Sequence, residues 1–258
     1  MVEYCVGGYA MLTEERHTII VDMVNKRGIV KTQELMQSLN CSESTIRRDL
    51  ETLHNDGKIK RIHGGAKRIY QISEELTVRE KSLKNVQEKS SIGKMAASLI
   101  EENDVIFLDA GTTTLAMIDF INKGNITVVT NGIQQASLLT DKQIETILIG
   151  GRIKQGTKAI VGSTSFTNLQ SFRFNKAFLG VNGIDIEFGL TTPDPEEATI
   201  KKLAQQQSSM TYVLADHTKW KKVNFVHLFD MEDVTIITNN SKEDLSLFKE
   251  KTTILEAE

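Results

Sequence analysis

Apolar residues in the first quarter of the chain recur at helical spacing. Ile19, Ile20, Met23 and Val24 form one stripe, Leu35, Met36 and Leu39 a second, and Ile46, Leu50 and Leu53 a third. Steps of three and four residues put each set on one face of a helix. The first helix reads as capped by Thr13, opened by Glu14 and Glu15, and closed by Gly28 after Lys26 and Arg27. A second starts near Thr32, and Asn40 and Cys41 turn into a third that Ser42 caps and Gly57 ends. Beyond it, Ile59 and Ile62 alternate with Lys58, Lys60 and Arg61, and His63-Gly64-Gly65 permits a β-turn before Lys67 and Arg68. Helix, turn, helix and hairpin predict a winged helix-turn-helix, the arrangement whose recognition helix enters a major groove.

The pattern changes from Ser91 onward. Short, nearly continuous apolar runs at 105–109, 126–130, 146–149, 177–181, 211–215 and 234–238 alternate with helical segments. Such runs predict strands buried on both faces of a mostly parallel sheet flanked by helices. The expected architecture is therefore an α+β winged helix-turn-helix over residues 11–69, then an α/β effector domain over 91–258. Residues 70–90 are charged and lack Gly and Pro, which suggests a linker passing into a partly helical connector. Residues 1–10 fit neither pattern and read as translated leader, with a start at Met11.

Composition narrows the class. No apolar run reaches the roughly 18 residues needed to cross a bilayer, and no secretion signal is evident, so a cytoplasmic protein without a membrane partner is expected. Cys5 and Cys41 are too few for a disulfide framework and lack metal-ligand spacing. Cys41 reads as a small turn residue, with redox sensing the alternative. The net charge is −3, but residues 11–69 carry eleven Lys and Arg against eight Asp and Glu, and residues 70–258 carry 20 against 25. A basic module ahead of an acidic one is the footprint of a nucleic-acid-binding domain carried by a larger partner domain.

The third helix would present Ser44, Thr45, Arg47 and Arg48 opposite its apolar stripe, with Ser42 at its start. Arginines and small hydroxyls there can meet base edges and phosphates; a surface helix with solvated arginines is the alternative for the helix alone. Asp49 fits better orienting an arginine within the domain than facing DNA phosphate. The order of Arg16, the Leu35/Leu39 helix, Ser44-Thr45-Ile46-Arg47-Arg48-Asp49-Leu50 and His63-Gly64-Gly65-Ala66 resembles the DeoR-type family of bacterial repressors of sugar metabolism. The resemblance implies DNA contacts from Ser42, Ser44, Thr45, Arg47 and Arg48, with Lys60, Arg61, His63 and Gly64 in the wing. It also implies a repressor that binds double-stranded operator DNA as a homodimer or homotetramer.

In the larger domain, polar motifs follow the predicted strands, where ligands of parallel sheets bind. Asp109-Ala110-Gly111-Thr112-Thr113-Thr114 leads into a helix and suits a phosphate. Lys219 is a candidate phosphate cation, Asp109 and Asp185 candidate hydroxyl acceptors, and Arg152 a further anion contact. Asp194 followed by Pro195 starts a helix that spaces Glu197 and Lys201 as an i, i+4 pair. That pair either stabilises the helix or brings a carboxylate to a ligand. The family's effector domain is similar to ribose-5-phosphate isomerase. The resemblance therefore implies that Asp109, Gly111, Thr112, Thr113, Asn131, Gly151, Gly162, Asn182, Glu197 and Lys219 line a sugar-phosphate site. Among sugar phosphates, the 109–114 segment inclines the expectation towards fructose 1-phosphate.

An isomerase-like enzyme fused to a DNA anchor is the competing reading, with Glu197 as base. Thr191 and Thr192 stand where such an enzyme would need its lysine and glycine-rich loop. The chain also lacks a Walker loop and a Rossmann fingerprint. No catalytic residue, cofactor or metal is expected.

Overall fold

The structure, a computed structural model, describes residues 11–70, 76–239 and 244–258, and the proposed leader lies outside them. The chain divides into two units, Met1–Gln71 and Ile72–Glu258.

In the first unit, helices Thr13–Arg27, Thr32–Leu39 and Glu43–Asn55 enclose a core in which Ile20, Val24, Leu35, Ile46 and Leu53 are fully buried. Ser42 caps the third helix, its hydroxyl accepting from the Thr45 amide at 3.3 Å. Neither Thr13 nor Thr32 is a cap. Leu12 and Lys31 hold those positions, and their amides donate to the carboxylates of Glu15 and Glu34. This is the half of a capping box that needs no polar cap side chain, the glutamate at the third helical position accepting from the cap residue's own amide. Asn40 adopts φ 48°, which turns the second helix into the third, and Cys41 is buried in the core. The wing has three strands rather than two, because Ile29–Lys31 pairs antiparallel with Gly65–Lys67, which also pairs with Lys60–Ile62. Gly65 permits this pairing: a Cβ there would lie 2.2 Å from the Val30 carbonyl oxygen.

The second unit is built on a seven-stranded sheet whose neighbouring strands all run parallel. Spatial order across it is Ile254–Ala257, Thr235–Asn239, Ser208–Leu214, Phe174–Gly180, Val105–Leu108, Thr127–Thr130 and Glu145–Leu148. Each of the six predicted runs is a strand, and the edge strand Ile254–Ala257 is additional. The order reverses at Val105–Leu108, whose two neighbours are Thr127–Thr130 and Phe174–Gly180. Loops leaving adjacent strands diverge at such a switch point and open a crevice beyond the carboxyl ends. A small antiparallel sheet of Gly183–Asp185, Gly189–Thr192 and Val226–Phe229 stands beside it in sequence.

Residues 76–90 are not a free linker. Thr77 caps the short helix Val78–Ser82, the Val78 amide donates to the Gly156 carbonyl at 3.0 Å, and helix Val86–Ser98 runs through the expected boundary at Ser91. That helix approaches Thr112–Met117 closely at Gly93, where a Cβ would lie 2.8 Å from the Met117 nitrogen. The contact sets where Thr112 and Thr113 stand. Gly93→Ala must push backbone against backbone and should lower stability by about 1–3 kcal/mol. Urea denaturation checks this; an unchanged midpoint would show that the two helices separate without cost.

Candidate functional site

The first unit presents a polar helix face. Ser42, Ser44, Arg47 and Arg48 are exposed and Thr45 half-buried, while Asp49 on the opposite side is buried. Arg16 grips the Asp49 carboxylate through Nε at 2.5 Å and Nη2 at 3.0 Å, and His17 Nε2 lies 3.0 Å away. Asp49 therefore works inside the domain. Arg47 pairs one turn back with Glu43 at 2.5 Å, whereas Arg48 has no ion pair among the described residues. In the wing Lys60, Arg61, His63 and Gly64 are exposed. Arg61 pairs with Glu51. Arg68, which follows the wing's turn, is buried: it donates to the Asn25 carbonyl at 3.0 Å and stacks over the Tyr70 ring.

In the second unit a cavity of about 270 Å³ opens at the switch point. Asp109, at the end of the central strand, is 2% exposed. Its Oδ2 accepts from the Gly180 amide at 3.0 Å and from Lys201, so Oδ1 has no protein donor among the described residues. Gly111, Thr112 and Thr113 follow on one wall, with Asn182 accepting from the Thr192 hydroxyl at 3.2 Å on another. Glu197 also lines the cavity and is buried; it accepts from the Thr157 hydroxyl at 2.7 Å and from Lys154 at 3.1 Å. Burial opposes its ionisation, but Lys201, Thr157 and Lys154 outweigh that and hold the carboxyl below the ordinary glutamate range. Glu197 and Lys201 thus have separate partners and are not an exposed helix pair.

Several expected residues stand elsewhere. Asp185 accepts from the Glu187 and Phe188 amides and shapes a hairpin turn away from the cavity. Arg152 is exposed and pairs with Glu196. Asn131 is buried behind the wall, where its Oδ1 accepts from the Ala110 amide at 3.1 Å. Gly151 and Gly162 adopt φ 150° and 101° around the Arg152–Ile153 and Ile160–Val161 hairpin, outside the cavity lining. The cavity instead includes lysines that the sequence pattern did not single out. Lys81, Lys84, Lys89 and Lys222 join Lys219 and Lys201. Burial pushes Lys219 below the ordinary lysine range; Asp216 resists, while Lys81, Lys222 and Lys84 add to the effect. Burial does the same to Lys89, again resisted by Asp216.

A cavity rich in cations can hold an anion, and its carboxylate and amide groups can fix hydroxyls. A winged helix-turn-helix followed by such a cavity in a parallel sheet defines a ligand-sensing, DNA-binding regulator rather than an enzyme. Comparison with known proteins gives the family. Residues 16–72 match the DeoR-like helix-turn-helix domain and residues 84–240 the DeoR C terminal sensor domain, and the chain belongs to the DeoR family. It is 48% identical over 95% of its length to the uncharacterized HTH-type transcriptional regulator FruR of Bacillus subtilis, covering 98% of that protein. It is 34% identical over 91% of its length to the lactose phosphotransferase system repressor of Staphylococcus aureus, covering 94% of it. A solved D-ribose-5-phosphate isomerase in complex with phospho-erythronic acid overlaps 52% of this chain and 54% of its own, at 20% identity and a TM-score of 0.40. Among the described residues, no helix is long and apolar enough to cross a membrane, and no cluster of ligating side chains could hold a metal ion.

The depressed lysines give a pH test. At a pH between their folded values and the ordinary 10.5, Lys219 and Lys89 hold fewer protons than exposed lysines. An anion beside them favours the charged form and raises both values again. Binding of inorganic phosphate within that window, just below 10.5, is therefore expected to take up protons, read by calorimetry in buffers of different ionisation enthalpy. Heats independent of the buffer would contradict the anion assignment.

Proposed function

We propose that this regulator represses a sugar-utilisation operon by binding double-stranded operator DNA, and is released when a phosphorylated sugar occupies the sensor cavity. Fructose 1-phosphate is the first candidate effector. The observation that carries the reading is the composition of the cavity: lysines in excess of carboxylates beside Asp109, Thr113 and Asn182. Cations suit a phosphate, and the remaining polar groups suit hydroxyls. The staphylococcal relative is named a repressor of a lactose phosphotransferase system, which supports control of sugar uptake or breakdown.

Operator recognition uses Ser42, Ser44, Thr45, Arg47 and Arg48 on the recognition helix, with Lys60, Arg61, His63 and Gly64 from the wing. The exposed Arg48 and Lys60, which have no ion pair among the described residues, support this assignment. A homodimer or homotetramer matches the symmetry of paired half-sites, and a cytoplasmic location follows from access to the operator. Release requires the effector to favour one arrangement of the protein over another, typically by about 1–3 kcal/mol.

Two measurements test the reading. Arg47→Ala and Arg48→Ala should each weaken specific operator binding by about 1–3 kcal/mol and relax sequence preference. Lys60→Ala should lower affinity for all sequences and reduce the slope of log affinity against log salt by about one. Gel shifts in which all three variants match wild type would remove the recognition face. For the effector, a thermal-shift screen of sugar phosphates should raise the melting temperature selectively, since a ligand at a hundredfold its Kd stabilises by about 2.7 kcal/mol. A flat response across the panel would reject the sugar-phosphate effector.

A further inference from the structure

Glu43 opens the recognition helix Glu43–Asn55 between Ser42 and Ser44, and its side chain is 54% exposed. Its Oε1 pairs with Arg47 Nη2 at 2.5 Å, while Oε2 has no protein donor among the described residues. The hydroxyls around it are engaged with one another. Ser42 Oγ lies 2.9 Å from both Ser44 Oγ and Thr45 Oγ1, and it accepts from the Thr45 amide. The other glutamate of this helix, Glu51, stands two turns further on and is paired with Arg61 of the wing. An acceptor oxygen on the first turn, held by an arginine from the next, is therefore what this end of the helix presents outward.

A carboxylate here has a cost for DNA binding, because every phosphate it approaches repels it. The helix dipole and the i, i+4 pair with Arg47 favour an acidic residue in the first turn, but they act equally with or without DNA. Position adds a second role, since the N-terminal residues of a recognition helix are the ones that meet base edges. In the major groove guanine and thymine present acceptors, which arginines can meet, whereas the amino groups of cytosine and adenine call for an acceptor. Ser42 is committed as a cap, and Glu43 Oε2 is open. The atom beside the amino group decides between the two bases. Cytosine offers N4 alone on its major-groove edge, but adenine sets the acceptor N7 next to N6, and a carboxylate has no proton to give that nitrogen.

We infer that Glu43 is a specificity-determining residue of the operator contact, its Oε2 accepting from the amino group of a cytosine at one position of each half-site while Arg47 holds the carboxylate in place. This role rests on the operator reading of the recognition helix and sharpens it. A base edge without a matching amino group leaves the carboxylate facing acceptors or phosphate, so Glu43 discriminates by repulsion as well as by attraction. Glutamine at the same position has both a donor and an acceptor and pairs with adenine N7 and N6 together.

The test uses the full-length protein and duplexes selected from a random-sequence pool. Wild type should select a site with cytosine at one position of each half-site, and Glu43→Gln should select adenine there with the other positions retained. On the wild-type site the variant should bind roughly tenfold more weakly, and it should regain that loss when the cytosine is replaced by adenine. On a duplex of random sequence it should bind at least as tightly as wild type, because a negative charge has left the DNA face. That last measurement separates a lost base contact from a damaged fold, which would weaken binding to every duplex. A preference at the cytosine position that is lost without passing to adenine still upholds the contact. A selected site that Glu43→Gln leaves unaltered, a change confined to a position where wild type does not select cytosine, or an equal loss on all duplexes overturns it, while the operator reading stands. A wild-type protein that selects no sequence from the pool rejects the operator reading itself.

Discussion

A buried carboxylate at the reversal of strand order holds the sensor unit together. Asp109 cannot be left charged and dry at the end of the central strand without partners, because desolvating an ion costs several kcal/mol. Its partners come from two other elements: the Gly180 amide at the end of the neighbouring strand and Lys201 from helix Pro195–Gln206. One side chain therefore joins a central strand, its neighbour across the switch point and a helix from later in the chain. The loops carrying Gly111 to Thr113 and Asn182 depart on either side of that junction. The crevice between them keeps its shape because Asp109 Oδ2 is tied to both the neighbouring strand and the helix.

A similar device operates on a smaller scale in the DNA-binding unit. Asp49 is buried on the inner side of the recognition helix and is held by Arg16 and His17 from the first helix. The pair fixes the rotation of the recognition helix about its axis, so that Ile46, Leu50 and Leu53 enter the core while Arg47 and Arg48 stay outside. In both units the buried carboxylate is matched by cations from within the same unit.

The state of the carboxylates also separates sensing from catalysis. A general base works best with a pKa near the working pH. Glu197, the one residue that an isomerase reading would use as base, is instead held below the ordinary range by Lys201, Thr157 and Lys154. Its Oε1 is engaged by Thr157 and Lys154 in holding the wall, an arrangement that suits recognition of a ligand better than transfer of its protons. This accords with membership of a family whose named relatives are transcriptional regulators.

Local pattern was enough to place the helices of the winged domain, the cap at Ser42 and the six main strands, because period and capping depend on residues a few positions apart. It also pointed to Asp109, Thr113, Asn182, Glu197 and Lys219, which follow or precede strands and helices in recognisable ways. Pattern did not reveal that Ile29–Lys31 completes the wing or that Ile254–Ala257 extends the sheet, since short, half-exposed strands carry little alternation of their own. Nor did it separate Asp185, Arg152 and Asn131, which face turns, solvent or the back of the wall, from Lys81, Lys84, Lys89 and Lys222, which face the cavity. The sequence by itself determined which elements form and which kinds of chemistry they carry. The tertiary structure alone decided which charges meet, because pairs such as Asp109 and Lys201, 92 residues apart, are brought together by strand order and not by spacing along the chain.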